Sequence, residues 1–280
     1  MSGMISERTR PTAVRLGRLL SRTGQTIRRR PVTILLLLAI LMLPNTLLGF
    51  LVREGLPSSL LTGHRNISAL VMLVVNLTMQ GLVFAIAVGV ALRVDSGPVS
   101  AASKRSALWA GLPAAPVVLL VLFLEAAPVL AFQSFASLKP DLFPNGSLQM
   151  VGLVYLIFGL SGFVTTALGA SFCVTAGAVA VAERRGILAS LARAVRLSRR
   201  SRWTVGLSFT ATSLATAVVV VVGNLAAVAL PPGQHWFWPV FASLLGNAHA
   251  LLWWLASAAL YRDRREAHEG VSDVLLETFD

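Results

Sequence analysis

Long apolar runs constrain this sequence most. The first is Val32–Val52; others lie near 67–92, 107–137, 149–182, 203–230 and 238–261. The hydrocarbon core of a bilayer is about 30 Å thick and a helix rises about 1.5 Å per residue, so about 20 consecutive apolar residues cross it. Backbone groups in lipid must pair within their own segment, which favours helices. The predicted fold is therefore all-α: a polytopic bundle of six transmembrane helices with basic amphipathic interfacial helices. Composition agrees, with 55% hydrophobic and only 13% charged residues, against about 25% charged in soluble domains. The first run is longer than a signal-peptide core and no small-residue cleavage site follows it, so it reads as an uncleaved span.

The charges set the threading. Of 24 Lys and Arg, all but Arg53, Arg65 and Lys139 fall in the N-terminus, the 93–106 loop, the 183–203 stretch or the tail. The positive-inside rule then puts both termini on the cytoplasmic side. The expected organisation is a basic cytoplasmic segment over 1–30, a transmembrane domain over 31–262 and a cytoplasmic tail over 263–280. The net charge of +12 follows from this bias. Aromatics sit in the spans and arginines flank them, which excludes a nucleic-acid surface.

The stretch from Glu183 to Trp203 carries seven arginines. At 100° per residue, Ile187, Leu188, Leu191, Ala192 and Val195 share one face, and Arg193, Arg196 and Arg200 the opposite one. This predicts a helix lying along the membrane surface, its arginines contacting anionic lipid. A similar pattern over 12–30 sets Leu16, Leu19, Leu20 and Ile27 against Arg15, Arg18, Arg22 and Arg29, with an interruption at Gly24. Pro113, Pro116 and Pro128 predict kinks in the third span.

Ser161, Thr165, Gly169, Cys173 and Gly177 recur every four residues in the fourth span, a small-residue stripe suited to helix packing. Thr204, Ser208, Thr212 and Thr216 do the same in the fifth; their hydroxyls either bond back to their own helix or wall a polar groove. Asn76, Gln80, Glu125, Asn247 and His249 are polar groups inside spans and form the candidate intramembrane site. Depth along the third and sixth spans places Glu125 and His249 both roughly 16 Å inside the membrane, which suggests that they pair. Cys173 is the one cysteine, so no intramolecular disulfide forms. The sequence has no P-loop, HExxH, GxSxG or CxxC pattern. No metal, cofactor or catalytic residue is expected.

Glu183 followed by the basic segment 184–202, and the exit of the last span through Tyr261, Arg262, Glu269 and Gly270, resemble a known group. These are the bacterial integral membrane proteins related to the membrane domain of glycerophosphoryl diester phosphodiesterase, including the YciC-like proteins. The resemblance extends loosely from residue 30 onward, with its motifs in the second half. It implies six helices in the cytoplasmic membrane. It implies no catalysis, since the phosphodiesterase activity belongs to a separate soluble domain. The expected function is that of a non-enzymatic inner-membrane protein acting through lipids or a membrane-protein partner. The alternative is a small-molecule or lipid transporter or channel that uses the intramembrane polar residues.

Overall fold

The computed structural model describes residues 16–53, 58–93, 109–138, 148–199, 201–228 and 237–269. Residues 1–15, 54–57, 94–108, 139–147, 200, 229–236 and 270–280, and the Asn224 side chain, lie outside the described residues. Within them the secondary structure is helical. Helix α1 covers Leu16–Arg29, α2 Pro31–Arg53, α3 Ser58–Arg93 and α4 Ala115–Leu138, the last preceded by a 3-10 turn at Leu112–Ala114. Then come α5 (Leu148–Phe172), α6 (Ala176–Glu183), α7 (Ile187–Ser198), α8 (Arg202–Val228) and α9 (Phe237–Glu269).

Four described stretches are long and apolar enough to cross a membrane: Val74–Arg93, Leu160–Glu183, Arg202–Gly223 and Val240–Ala267. They mark a membrane protein. Pro31–Leu43 in α2, and Leu112–Pro128 across the 3-10 turn and the start of α4, are shorter apolar stretches whose side chains are described, in the first and third expected spans. Two of the three expected proline kinks have no place in a helix interior. Pro113 lies in the 3-10 turn and Pro116 in the first turn of α4, where a missing N–H breaks no helical bond; Pro128 lies inside α4.

Neighbouring helices pack α2 on α3, α3 on α4, α4 on α5, α5 on α8 and α8 on α9, and α9 also packs on α2 and α3. Short α6 fills the space between α3, α4 and α9. The core is built mainly from small residues: Ala85, Ala87 and Val88 of α3 meet Ala114, Val117 and Val118, with Ala176, Ala178 and Ala180 of α6. Lipid gives apolar helices no reason to associate, so close backbone approach must supply the contact. Gly89 and Gly111 show this: a Cβ on Gly89 would strike the Gly111 backbone, and one on Gly111 the Ala85 carbonyl. Phe84 stacks on Trp254 with ring centroids 5.6 Å apart.

The small-residue stripe of the fourth span faces α4. Thr165 Oγ1 donates to the Glu125 carbonyl at 3.2 Å, Gly169 lies against the Glu125 carboxyl, and Gly177 faces Val118 and Ala114. On α8 the hydroxyls of Ser208, Thr212 and Thr216 donate to the carbonyls four residues earlier, at 2.7, 3.0 and 3.0 Å. These local bonds let an otherwise apolar helix carry hydroxyls in lipid.

Candidate functional site

The basic ends of the helices meet around the last turns of α9. The fourth expected span is not one helix: α5 stops at Phe172, residues 173–175 form a turn, and α6 starts at Ala176. Ending a helix leaves its last carbonyls without backbone donors. Arg264 supplies one, with Nη2 donating to the Ser171 carbonyl at 3.1 Å. Its Nη1 donates to Thr175 Oγ1 at 3.2 Å and its Nε to Ser201 Oγ at 2.8 Å. The side chain is 1% exposed, and no carboxylate pairs with it among the described residues. One buried guanidinium thus ties the α5–α6 break to the start of α8. Arg262 acts similarly on α3, donating from Nη2 to the Leu92 carbonyl at 2.6 Å. A cation at a helix C-terminus also complements the helix dipole.

Carboxylates at the same end engage α1 and α7. Arg22 pairs with Asp263 at 2.8 Å and with Glu266 at 3.6 Å, and Arg18 reaches Glu266 at 3.7 Å. Leu19, Thr23 and Thr26 are buried, while Leu20 is 69% exposed. Helix α1 therefore docks on α9 along a face that keeps Leu19 and Ile27 of the expected stripe, adds Thr23 and Thr26 and leaves Leu20 outside, and it runs through Gly24 without interruption. Asp263 and Arg264, assigned to the tail by hydropathy, belong to a helix that continues to Glu269.

Glu183 accepts from Arg185 Nε at 2.6 Å, from Arg193 Nε at 3.2 Å and from the Tyr261 hydroxyl at 3.1 Å. Arg193 also pairs with Glu269, which in turn takes Arg265 at 3.0 Å. Arg193 is therefore held within the protein by two carboxylates, contrary to its expected place on a lipid-contacting face. Helix α7 turns Ser190, Ala194, Leu197 and Ser198 inward. Ile187, Leu188, Val195 and Arg196 remain exposed, and so does Arg199 in the turn that follows. Arg196 and Arg199 have no side-chain partner among the described residues.

A second feature lies at mid-span. A cavity of about 280 Å³ between α4 and α5 is walled by Val121, Leu124, Leu168 and Phe172, with Glu125, Thr165, Gly169 and Cys173 supplying the rest of its lining. The Glu125 carboxyl makes no hydrogen bond or ion pair to a described residue.

The other expected intramembrane groups lie elsewhere, and no hydrogen bond joins any two of Asn76, Gln80, Glu125, Asn247 and His249. His249 Nε2 bonds Ser213 of α8 at 3.0 Å and its ring lies 5.9 Å from that of Phe209. The expected pairing with Glu125 is absent because each of these side chains points at a different neighbouring helix. Asn247 Nδ2 reaches Ser243 Oγ at 3.4 Å and Met42 Sδ at 3.6 Å. Asn76 Oδ1 is buried without a hydrogen bond, and Gln80 is half-buried. Sequence reasoning missed Arg264 with its partners Ser171, Thr175 and Ser201. The available signal was the unbroken helical spacing Ser257–Leu260–Arg264, with no glycine or proline before Gly270.

Compared with known protein families, with curated proteins and with solved structures, the chain matches none.

Proposed function

We propose that this chain is a non-enzymatic protein of the bacterial inner membrane, six times spanning with both termini cytoplasmic, that works by engaging anionic lipid headgroups at its basic end. The resemblance to the glycerophosphodiesterase membrane-domain group belongs to the same proposal. The observation that carries it is the division of labour among the arginines. Arg22, Arg193, Arg262 and Arg264 are consumed by contacts within the protein. Arg196 and Arg199 stay exposed beside Leu188, 78% exposed, and Trp203, 73% exposed. An apolar edge beside unpaired cations suits a helix lodged at the headgroup boundary. Each nearby arginine adds about 1 kcal/mol of attraction to an anionic leaflet.

The test is native mass spectrometry of the full chain from mixed anionic and zwitterionic lipid. Changing Arg196 and Arg199 together to Gln is expected to lower the retention of anionic lipid about tenfold or more and leave thermal stability unchanged. Unchanged lipid retention in the double variant refutes the proposal.

A further inference from the structure

We propose that the groove between α4 and α5 binds a lipophilic amine, with Glu125 as proton donor and counter-ion. The inference goes beyond the headgroup contacts of the basic end and shares no residue with them.

A carboxyl at mid-span is costly and ordinarily finds a partner. Pro128 cannot donate to the Leu124 carbonyl, so an acceptor is free nearby, yet the Glu125 carboxyl bonds no described residue. The Thr165 hydroxyl lies within reach of this turn, but its donor contacts are the Glu125 main-chain carbonyl at 3.2 Å and the Gly162 carbonyl at 2.9 Å. Gly169 leaves the space that the carboxyl occupies; any side chain there would collide with it. The carboxyl therefore borders the 280 Å³ cavity with no partner among the described residues.

The walls decide what can enter. Leu124 and Leu168 are 57% and 52% exposed, so the groove is reached from the side that faces lipid. Its occupant must be mostly apolar. An apolar cavity of about 150 Å³ holds one benzene ring, so this one accepts a body of about two fused rings. Charge complementarity decides the polar group. A neutral amine arriving through lipid takes the proton of Glu125: the carboxyl O–H bond breaks, a third N–H bond forms, and the carboxylate and ammonium remain as a hydrogen-bonded pair. No atom leaves. An alcohol or ester would gain only one neutral hydrogen bond, whereas a charge-assisted one is roughly twice as strong.

The experiment uses the full chain in lipid nanodiscs, with 1-naphthylmethylamine as the probe and 1-methylnaphthalene as its uncharged counterpart. The amine is expected to bind saturably at one site. Glu125→Gln should weaken amine binding about tenfold or more while the hydrocarbon binds as before. Leu168→Trp, at an exposed position on the groove, should weaken both probes and leave the fold intact. Equal amine binding by Glu125→Gln and the parent chain overturns the proposal, and so does equal loss of both probes in that variant. If Glu125→Gln does not fold, Leu168→Trp decides alone: unchanged amine binding overturns the proposal, and loss supports it.

Discussion

Two regions of the helical bundle, its basic end and the exposed face of α8, solve the membrane problem in different ways. At the basic end, α3, α4, α6 and α9 close around Ala85, Ala114, Ala178 and Leu255, and Arg262 and Arg264 cap neighbouring helices. Helix α8 shows the other way. Leu214, Val218, Val221, Val222 and Leu225 are each more than half exposed. Its polar contacts to α9 include Ser213 with His249, Thr212 with Trp253 and the Val220 carbonyl, which accepts from Trp238 Nε1 at 3.3 Å. At the basic end the chain must satisfy broken helices and charges internally, so side chains are specified one by one. On the exposed face of α8 no protein neighbour specifies the side chain, so an apolar residue suited to lipid serves there.

The largest expected break in this contrast is Arg264→Ala. It strands the Ser171 carbonyl, the Thr175 and Ser201 hydroxyls and a side-chain-sized void, and should destabilise the protein by about 3 to 4 kcal/mol. Denaturant titration of the micelle-bound protein measures this; a loss no larger than that of an exposed-site variant would mean that the α5–α6 break needs no cap. Gly111→Ala comes next. The added methyl meets the backbone at Ala85, so α3 and the start of α4 must separate, at a cost of about 2 kcal/mol. The same titration reads it, and a stable, unshifted variant would show that this crossing has slack. The smallest effect is expected at Val222, 58% exposed on α8. Val222→Ala should change stability by less than about 0.5 kcal/mol. A larger loss would identify that face as a protein contact instead of a lipid one.

Much of the helical layout was legible because hydropathy acts along the chain. The run at 203–230 matches α8, and the helix expected within the stretch from Glu183 to Trp203 is α7 at Ile187–Ser198. The 3.6-residue period also set the stripe of Thr165, Gly169 and Gly177 on one face. The break at 173–175 was not legible: Cys173, Val174 and Thr175 include neither glycine nor proline, and the carbonyl left open is met by an arginine 93 residues away. Arg193 was misread for a related reason. Helical phase placed it correctly relative to Arg196, but phase carries no information about Glu183 and Glu269 alongside it.

The sequence by itself determined that the chain is apolar enough to live in a membrane, where its helices run and where its positive charge accumulates. These are local properties, fixed by transfer of side chains from water to lipid and by hydrogen bonds within each segment. The tertiary structure alone decided that Glu125 faces Gly169 instead of His249, that Arg264 is buried against a carbonyl and two hydroxyls, and that Arg193 is held by Glu183 and Glu269 while Arg196 is exposed. The depth of a residue follows from counting along its helix. Its partners depend on which helix faces meet, and in lipid that is settled by the fit of small residues and the pairing of a few polar groups, not by hydrophobicity.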